Sequence, residues 1–205
     1  MPFPAFFDAV PRITVHDPLA ALLGAGDGMI DYGYADAVRL AGHSCPTVAG
    51  AYLMTLTALR ALYSDAIPQR GGVRVMLRDS EDQGVTGVTA AVAQLITGAA
   101  GSGGFKGLAG LHARVGLLGF GLGGAAEMRV TRLDNGAAVD VWLDTRSVPA
   151  DPHMGVLLRA VLSGSGSAEN EAEFGKLWQD RVRRILLDHA DEVVGYREAP
   201  SSRPS

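Results

Sequence analysis

Ala41-Gly42-His43-Ser44-Cys45-Pro46-Thr47 is the stretch whose reading decides the fold. Proline suits the first position of a helix, where its missing N–H is no loss and its φ is already helical. The pattern therefore predicts a helix from Pro46 to about Leu62, with Cys45 as the residue that caps it. A sulfur there lies near the positive end of the helix dipole, which favours the thiolate. His43 stands two residues earlier, and a thiolate and an imidazole from one tight turn are a pair of metal donors. The helix carries Val48, Ala49, Leu53, Met54, Leu56, Ala58 and Leu59 with few polar residues, mostly threonines. A helix apolar on nearly every face is buried. Tyr52 on it is a candidate cofactor contact.

Upstream, Asp17-Pro18 before Leu19-Ala20-Ala21-Leu22-Leu23 reads as a capped helical turn closed by Gly24 and Gly26. Met29 to Leu40 reads as an extended segment feeding the turn, with Ile30, Tyr32 and Tyr34 as strand residues. That places His43 and Cys45 at the carboxyl end of a strand, where open α/β sheets bind ligands.

Downstream, residues 73–78 alternate as a half-buried strand does. Asp79, Glu81 and Asp82 follow, and residues 85–96 read as a second helix closed by Thr97-Gly98. Residues 98–110 hold six glycines, Gly103 and Gly104 among them, and read as a loop or a close approach of backbone to a ligand. Residues 113–120 read as a strand. Residues 127–133 and 138–143 alternate around Asp134-Asn135-Gly136, a hairpin signal. Gly119-Phe120-Gly121-Leu122-Gly123-Gly124 is only superficially a dinucleotide fingerprint, because strands follow it where a helix is required. Met154 to Leu162 is a short helix, Ser163–Ser167 a connector, and residues 168–194 one long amphipathic helix. Its stripe of Phe174, Trp178, Val182, Ile185 and His189 is expected to pack on the core or on a second copy, and its length makes a homodimer the expected assembly. The division expected is a core over residues 1–150, a helical extension over 151–199 and a disordered tail over 200–205.

The chain has 205 residues, 47% hydrophobic and 20% charged, which suits one globular core. A net charge of −4 without a basic block argues against nucleic acid and anionic membrane as partners. The first eight residues lack the features of a signal peptide, and no apolar run is long enough to span a membrane. A single cysteine fits a reducing cytoplasm.

Gly42-His43-Ser44-Cys45-Pro46, Glu81-Asp82, Gln94-Leu95-Ile96-Thr97-Gly98 and Gly103-Gly104-Phe105-Lys106-Gly107 together resemble the E-subunit family of formylmethanofuran dehydrogenase over residues 29–145. The resemblance implies an α+β core, a mixed sheet flanked by helices, and a zinc-binding active site at the His-x-Cys turn. It implies a redox enzyme or an accessory protein of one. The C-terminal zinc finger of some members is absent, since no cysteine follows Cys45, and Val88 and Ala99 stand where members usually have cysteines.

The candidate metal ligands are therefore His43 and Cys45, with His16 or His112 as a third. Cys45, Glu81 and Asp82 are the catalytic candidates, the two acids as general bases at a strand end or, alternatively, as caps of the next helix. Gly103 and Gly104 would border the pocket of a small-molecule or cofactor ligand. Zinc is the first reading. Haem, with Cys45 or a histidine as axial ligand, is the second. An interaction module with a vestigial site is a third.

Overall fold

In the computed structural model, which describes residues 3–201, the helix after Cys45 runs Pro46–Tyr63. We call it α3, the third of the helices named below. Its eighteen residues span about 27 Å. Val48, Ala49, Ala51, Tyr52 and Ala58 have no exposed surface, which is the burial its all-apolar composition demands. One flank meets α4 (Thr86–Thr97), and the other lies on a sheet. The approach to the sheet is close because of Gly50. A Cβ there would come within 2.2 Å of Leu143 Cδ2.

That sheet has the order β4-β3-β5-β6-β7, formed by Leu118–Gly119 (β4), Val73–Leu77 (β3), Met128–Arg132 (β5), Ala138–Leu143 (β6) and Val194–Ala199 (β7). Only β3 and β4 run parallel. Val73, Val75, Leu77, Met128, Val130, Val139 and Val141 face the helices and belong to the core. The β5–β6 hairpin turns at Asn135-Gly136, with Gly136 at φ +73° and Asn135 Oδ1 accepting the Ala137 N–H. β4 is far shorter than the strand expected over 113–120. Residues 114–117 bond instead to the glycine-rich loop, through Arg114 and Val115 N–H to the Phe105 carbonyl and Leu117 N–H to Ala100.

A second, two-stranded sheet pairs Ile13–His16 (β1) with Met29–Tyr32 (β2) around the short helix Pro18–Leu22 (α1), which Asp17 caps. The extended segment expected over 29–40 is half helix. β2 stops at Tyr32, and Tyr34–Ala41 forms α2. The Asp36 carboxylate accepts the Gly33 N–H at 2.9 Å and so starts the helix. Tyr34, Ala37 and Val38 are its buried residues, a spacing of i, i+3, i+4. The His-Ser-Cys turn therefore joins two helices, with Gly42 left-handed at φ +79° between them, and does not follow a strand.

Met154–Leu162 (α5) matches its expectation. The single helix expected over 168–194 does not form. Helix α6 covers Ala168–Arg183, a wider turn takes Arg184–Asp188, and Ala190–Val193 makes a last turn, α7. The chain then becomes β7, which pairs with β6 along its whole length. An open edge on β6 decides this: pairing there satisfies backbone groups that an exposed helix end would leave to water. Residues 194–199 thus complete the core sheet as its edge strand. The stripe on α6 and the wide turn packs on the chain's own core, with Val182, Ile185 and Leu186 fully buried. The tail expected from Pro200 falls, beyond Ser201, outside the described residues. The fold is α+β with a mixed sheet, as expected. Among the described residues no helix is long and apolar enough to cross a membrane.

Candidate functional site

The His43–Cys45 turn is held from a distance. The Ser44 carbonyl accepts from Trp178 Nε1 at 2.9 Å and from Gln179 Nε2 at 3.2 Å. Ser44 Oγ donates to Gln179 Oε1 at 3.0 Å and accepts from the Tyr34 hydroxyl at 3.0 Å. Helix α6 thus clamps a turn lying 135 residues away in sequence. Cys45 caps α3 as expected, its Sγ accepting the Val48 N–H at 3.5 Å, and it is nearly buried. His43 is exposed, with Nδ1 3.0 Å from the Ala41 carbonyl.

Among the described residues no three His, Cys, Asp or Glu side chains come together where they could hold a metal ion. His43 and Cys45 are therefore two donors where a structural zinc takes four and a catalytic one takes three from the protein. His16 ends β1, where its backbone bonds to Pro68 and Arg70 and its ring lies beside Gly28. His112 follows the Leu108–Leu111 turn at φ +60°.

The remaining sequence candidates have structural surroundings. Tyr52 is completely buried, and its hydroxyl donates to the Pro11 and Tyr32 carbonyls at 2.8 and 3.0 Å, bracing α3 against the segment just before β1 and the end of β2. Burial pushes its pKa up. Glu81 and Asp82 are exposed, Asp82 accepting from Ser80 Oγ. They do not cap α4 either, since Val85 holds the cap position with no side-chain acceptor. Gly103 faces open space. Gly104 is needed by its own loop, because a Cβ there would lie 2.7 Å from Ala100 Cβ and 2.9 Å from Val115 Cα. The 119–124 glycines form no dinucleotide loop. Their backbone bonds to the end of β3, Gly121 N–H to Asp79 and Gly123 N–H to Arg78.

That end of β3 borders a pocket of about 240 Å³ that the sequence reading did not single out. Arg78, Asp79, Gln83, Thr86, Thr89 and Glu127 line it. The pocket opens beside the start of α4, whose first turn has no side-chain cap. Arg78 is held by Asp79, Nε to Oδ2 at 3.0 Å. Glu127 is half-buried, and that burial outweighs the pull of Arg78 and raises its pKa. A carboxyl that keeps its proton above the ordinary range, facing a pocket, is suited to proton exchange. A wider cleft of about 440 Å³ lies at the other end of β3, beside Tyr63 and Arg132. Its charge is already matched. Arg132 pairs with Asp134, donates to the Leu62 carbonyl and sits 4.1 Å over the Tyr63 ring.

One further polar cluster is structural. Asp17 is 3% exposed and takes Arg70 at 2.9 Å and Arg114 at 2.7 Å. Burial works to raise the Asp17 pKa, but the two arginines prevail and lower it. Arg70 also donates to the Leu95 carbonyl near the end of α4, where a cation suits the dipole. The cluster ties α1, α4 and the glycine-rich loop together. Residues 53 and 97 positions apart gave no local signal of it.

No known family model matches the chain, and no curated protein is significantly similar to it in sequence. Among solved structures, the fold is similar to the crystal structure of an FmdE-like protein from Syntrophus aciditrophicus, FmdE being the E-subunit of tungsten formylmethanofuran dehydrogenase. The two share 14% sequence identity over 84% of this chain and 74% of that one, with a TM-score of 0.46. The likeness is a distant one of fold.

Proposed function

We propose that the protein binds a small polar molecule at the carboxyl end of β3 and exchanges a proton with it through Glu127. The observation that supports this is the raised pKa of a half-buried carboxyl lining a pocket whose other acid, Asp79, is already paired. Protonated Glu127 donates a hydrogen bond to a ligand oxygen; ionised, it takes a proton. The start of α4 and Arg78 favour a carbonyl or carboxylate oxygen on the ligand. Carboxyl-carbon NMR of Glu127 should show titration above the ordinary glutamate range. In thermal-shift measurements against a panel of small carboxylic acids and amides, at least one compound should stabilise the wild type and not Glu127→Gln. Ordinary titration of Glu127, or equal stabilisation of the variant by every compound, refutes the reading.

A second reading concerns the His-Ser-Cys turn. In the tautomer that lets Nδ1–H donate to the Ala41 carbonyl, Nε2 of His43 is the free ring atom, and metal-bound histidines are commonly oriented by such a bond. A zinc ion on His43 and Cys45 would take its other ligands from water or from outside this chain. One zinc per chain in the colourless purified protein, lost in Cys45→Ala, supports this reading. Metal-free protein sinks it, and a Soret band would assign the turn to haem instead.

A further inference from the structure

Helices α3 and α4 pack on the five-stranded sheet from the side of Val75, Val130, Val139 and Val141. The register fixes what stands on the other side. Met76, Arg129, Asp140 and Arg197 are cross-strand neighbours in one row, and Arg74 lies in the next. Trp142 pairs with Gly195, and its ring occupies the space a Gly195 Cβ would need, 2.3 Å from that position. The ring therefore lies over strand β7 and takes no part in the core.

The charge on this face is unbalanced. Asp140 is almost fully buried although it faces away from the core, because Arg129 and Arg197 both donate to it through Nε and Nη2. Each arginine keeps an Nη1 with no protein acceptor, and exposed Arg74 has no carboxylate partner, among the described residues. Three arginines against one aspartate make a positive face on a chain whose net charge is −4. Tryptophan, methionine and arginine without lysine is the composition enriched at protein–protein interfaces. A second copy docked face to face would set like charges against each other. Nucleic acid is disfavoured because two of the three guanidiniums are already engaged by Asp140 and the chain as a whole is acidic.

We propose that this open sheet face docks an acidic segment of another protein, with an apolar or aromatic side chain of that segment on Trp142 and its carboxylates on Arg74 and the free Nη1 groups of Arg129 and Arg197. The test is fluorescence anisotropy of a labelled peptide of alternating glutamate and tyrosine, with a labelled single-stranded oligonucleotide of equal length as comparison and sedimentation velocity of the protein alone. The peptide should bind, and more weakly as salt rises. Trp142→Ala should weaken it by about thirtyfold, the size of an interface hot spot. Arg74→Glu changes an exposed, unpaired residue and leaves the fold intact, and should weaken binding by about tenfold, or 1.4 kcal/mol. Three results overturn the proposal: no peptide binding, binding unchanged in Arg74→Glu, or tighter binding of the oligonucleotide. A dimer in sedimentation that Arg74→Glu dissociates would likewise overturn it, by assigning the face to a second copy.

Discussion

Ser44→Ala tests the clamp on the His-Ser-Cys turn. Tyr34 has no exposed surface, and Ser44 Oγ is the acceptor of its hydroxyl. Removing Oγ leaves that hydroxyl buried without a partner, a cost of about 1–3 kcal/mol. Gln179 loses a donor as well, but it is only half-buried, and its Nε2 still reaches the Ser44 carbonyl. We take about 2 kcal/mol in all, which for a domain of this size lowers Tm by roughly 4–8 °C. Tyr34→Phe removes the donor instead. Ser44 keeps its bond to Gln179, so the cost is about 1 kcal/mol or less. In the double variant no hydroxyl is stranded, and Ser44→Ala should cost about 1 kcal/mol less than it does alone. Urea denaturation of the four proteins measures this coupling directly. A coupling below about 0.3 kcal/mol, within the scatter of independent sites, would refute the relay from Tyr34 through Ser44 to Gln179.

Asp17→Asn should destabilise by about 3–5 kcal/mol, because it keeps a capping oxygen for α1 but leaves Arg70 and Arg114 without a counter-charge; urea midpoints check it. Since the Asp17 and Asp140 pKa values are lowered in the fold, the stability they contribute is present above the ordinary aspartate value and lost as pH falls through their depressed ones. Glu127 has the opposite sign. Its raised pKa makes ionisation costly in the native state, so Glu127→Gln should raise Tm at neutral pH and lose that advantage near pH 4, about where an unfolded glutamate titrates. Gly50→Val should cost about 1–3 kcal/mol through its clash with Leu143, more than the roughly 1 kcal/mol that replacing a helix glycine returns; an unchanged Tm would show that the helix and sheet separate freely.

Elements whose signal is local were legible in the sequence. The proline and cap of α3, the alternation of β3, β5 and β6, and the Asn-Gly turn all lie within a few residues of what they specify. Helix α2 was misread because Ala35 to Leu40 suits either period, and the deciding bond, Asp36 to the Gly33 N–H, is a capping contact. Strand β7 was missed because its partner decides its state: Val193-Val194 continues a helical stripe until β6 offers an edge. The Glu127 pocket was invisible for a related reason. A glutamate at the start of an alternating run looks like a solvent-facing strand residue, and only the fold sets it beside α4.

The return of β7 to β6 has a consequence for biosynthesis. Until residue 199 has emerged from the ribosome, β6 is a bare edge, with the valine-rich hairpin β5–β6 already able to form. An unpaired edge of that kind is a template for another nascent chain. Chains stopped after α7 should therefore be recovered in inclusion bodies, while a substitution at an exposed position of α5, such as Val156→Ala, leaves the yield of soluble protein unchanged. A peptide of residues 194–199 added during refolding of the shortened chain would compete for the same edge as its neighbours do, and so act as a chaperone in trans.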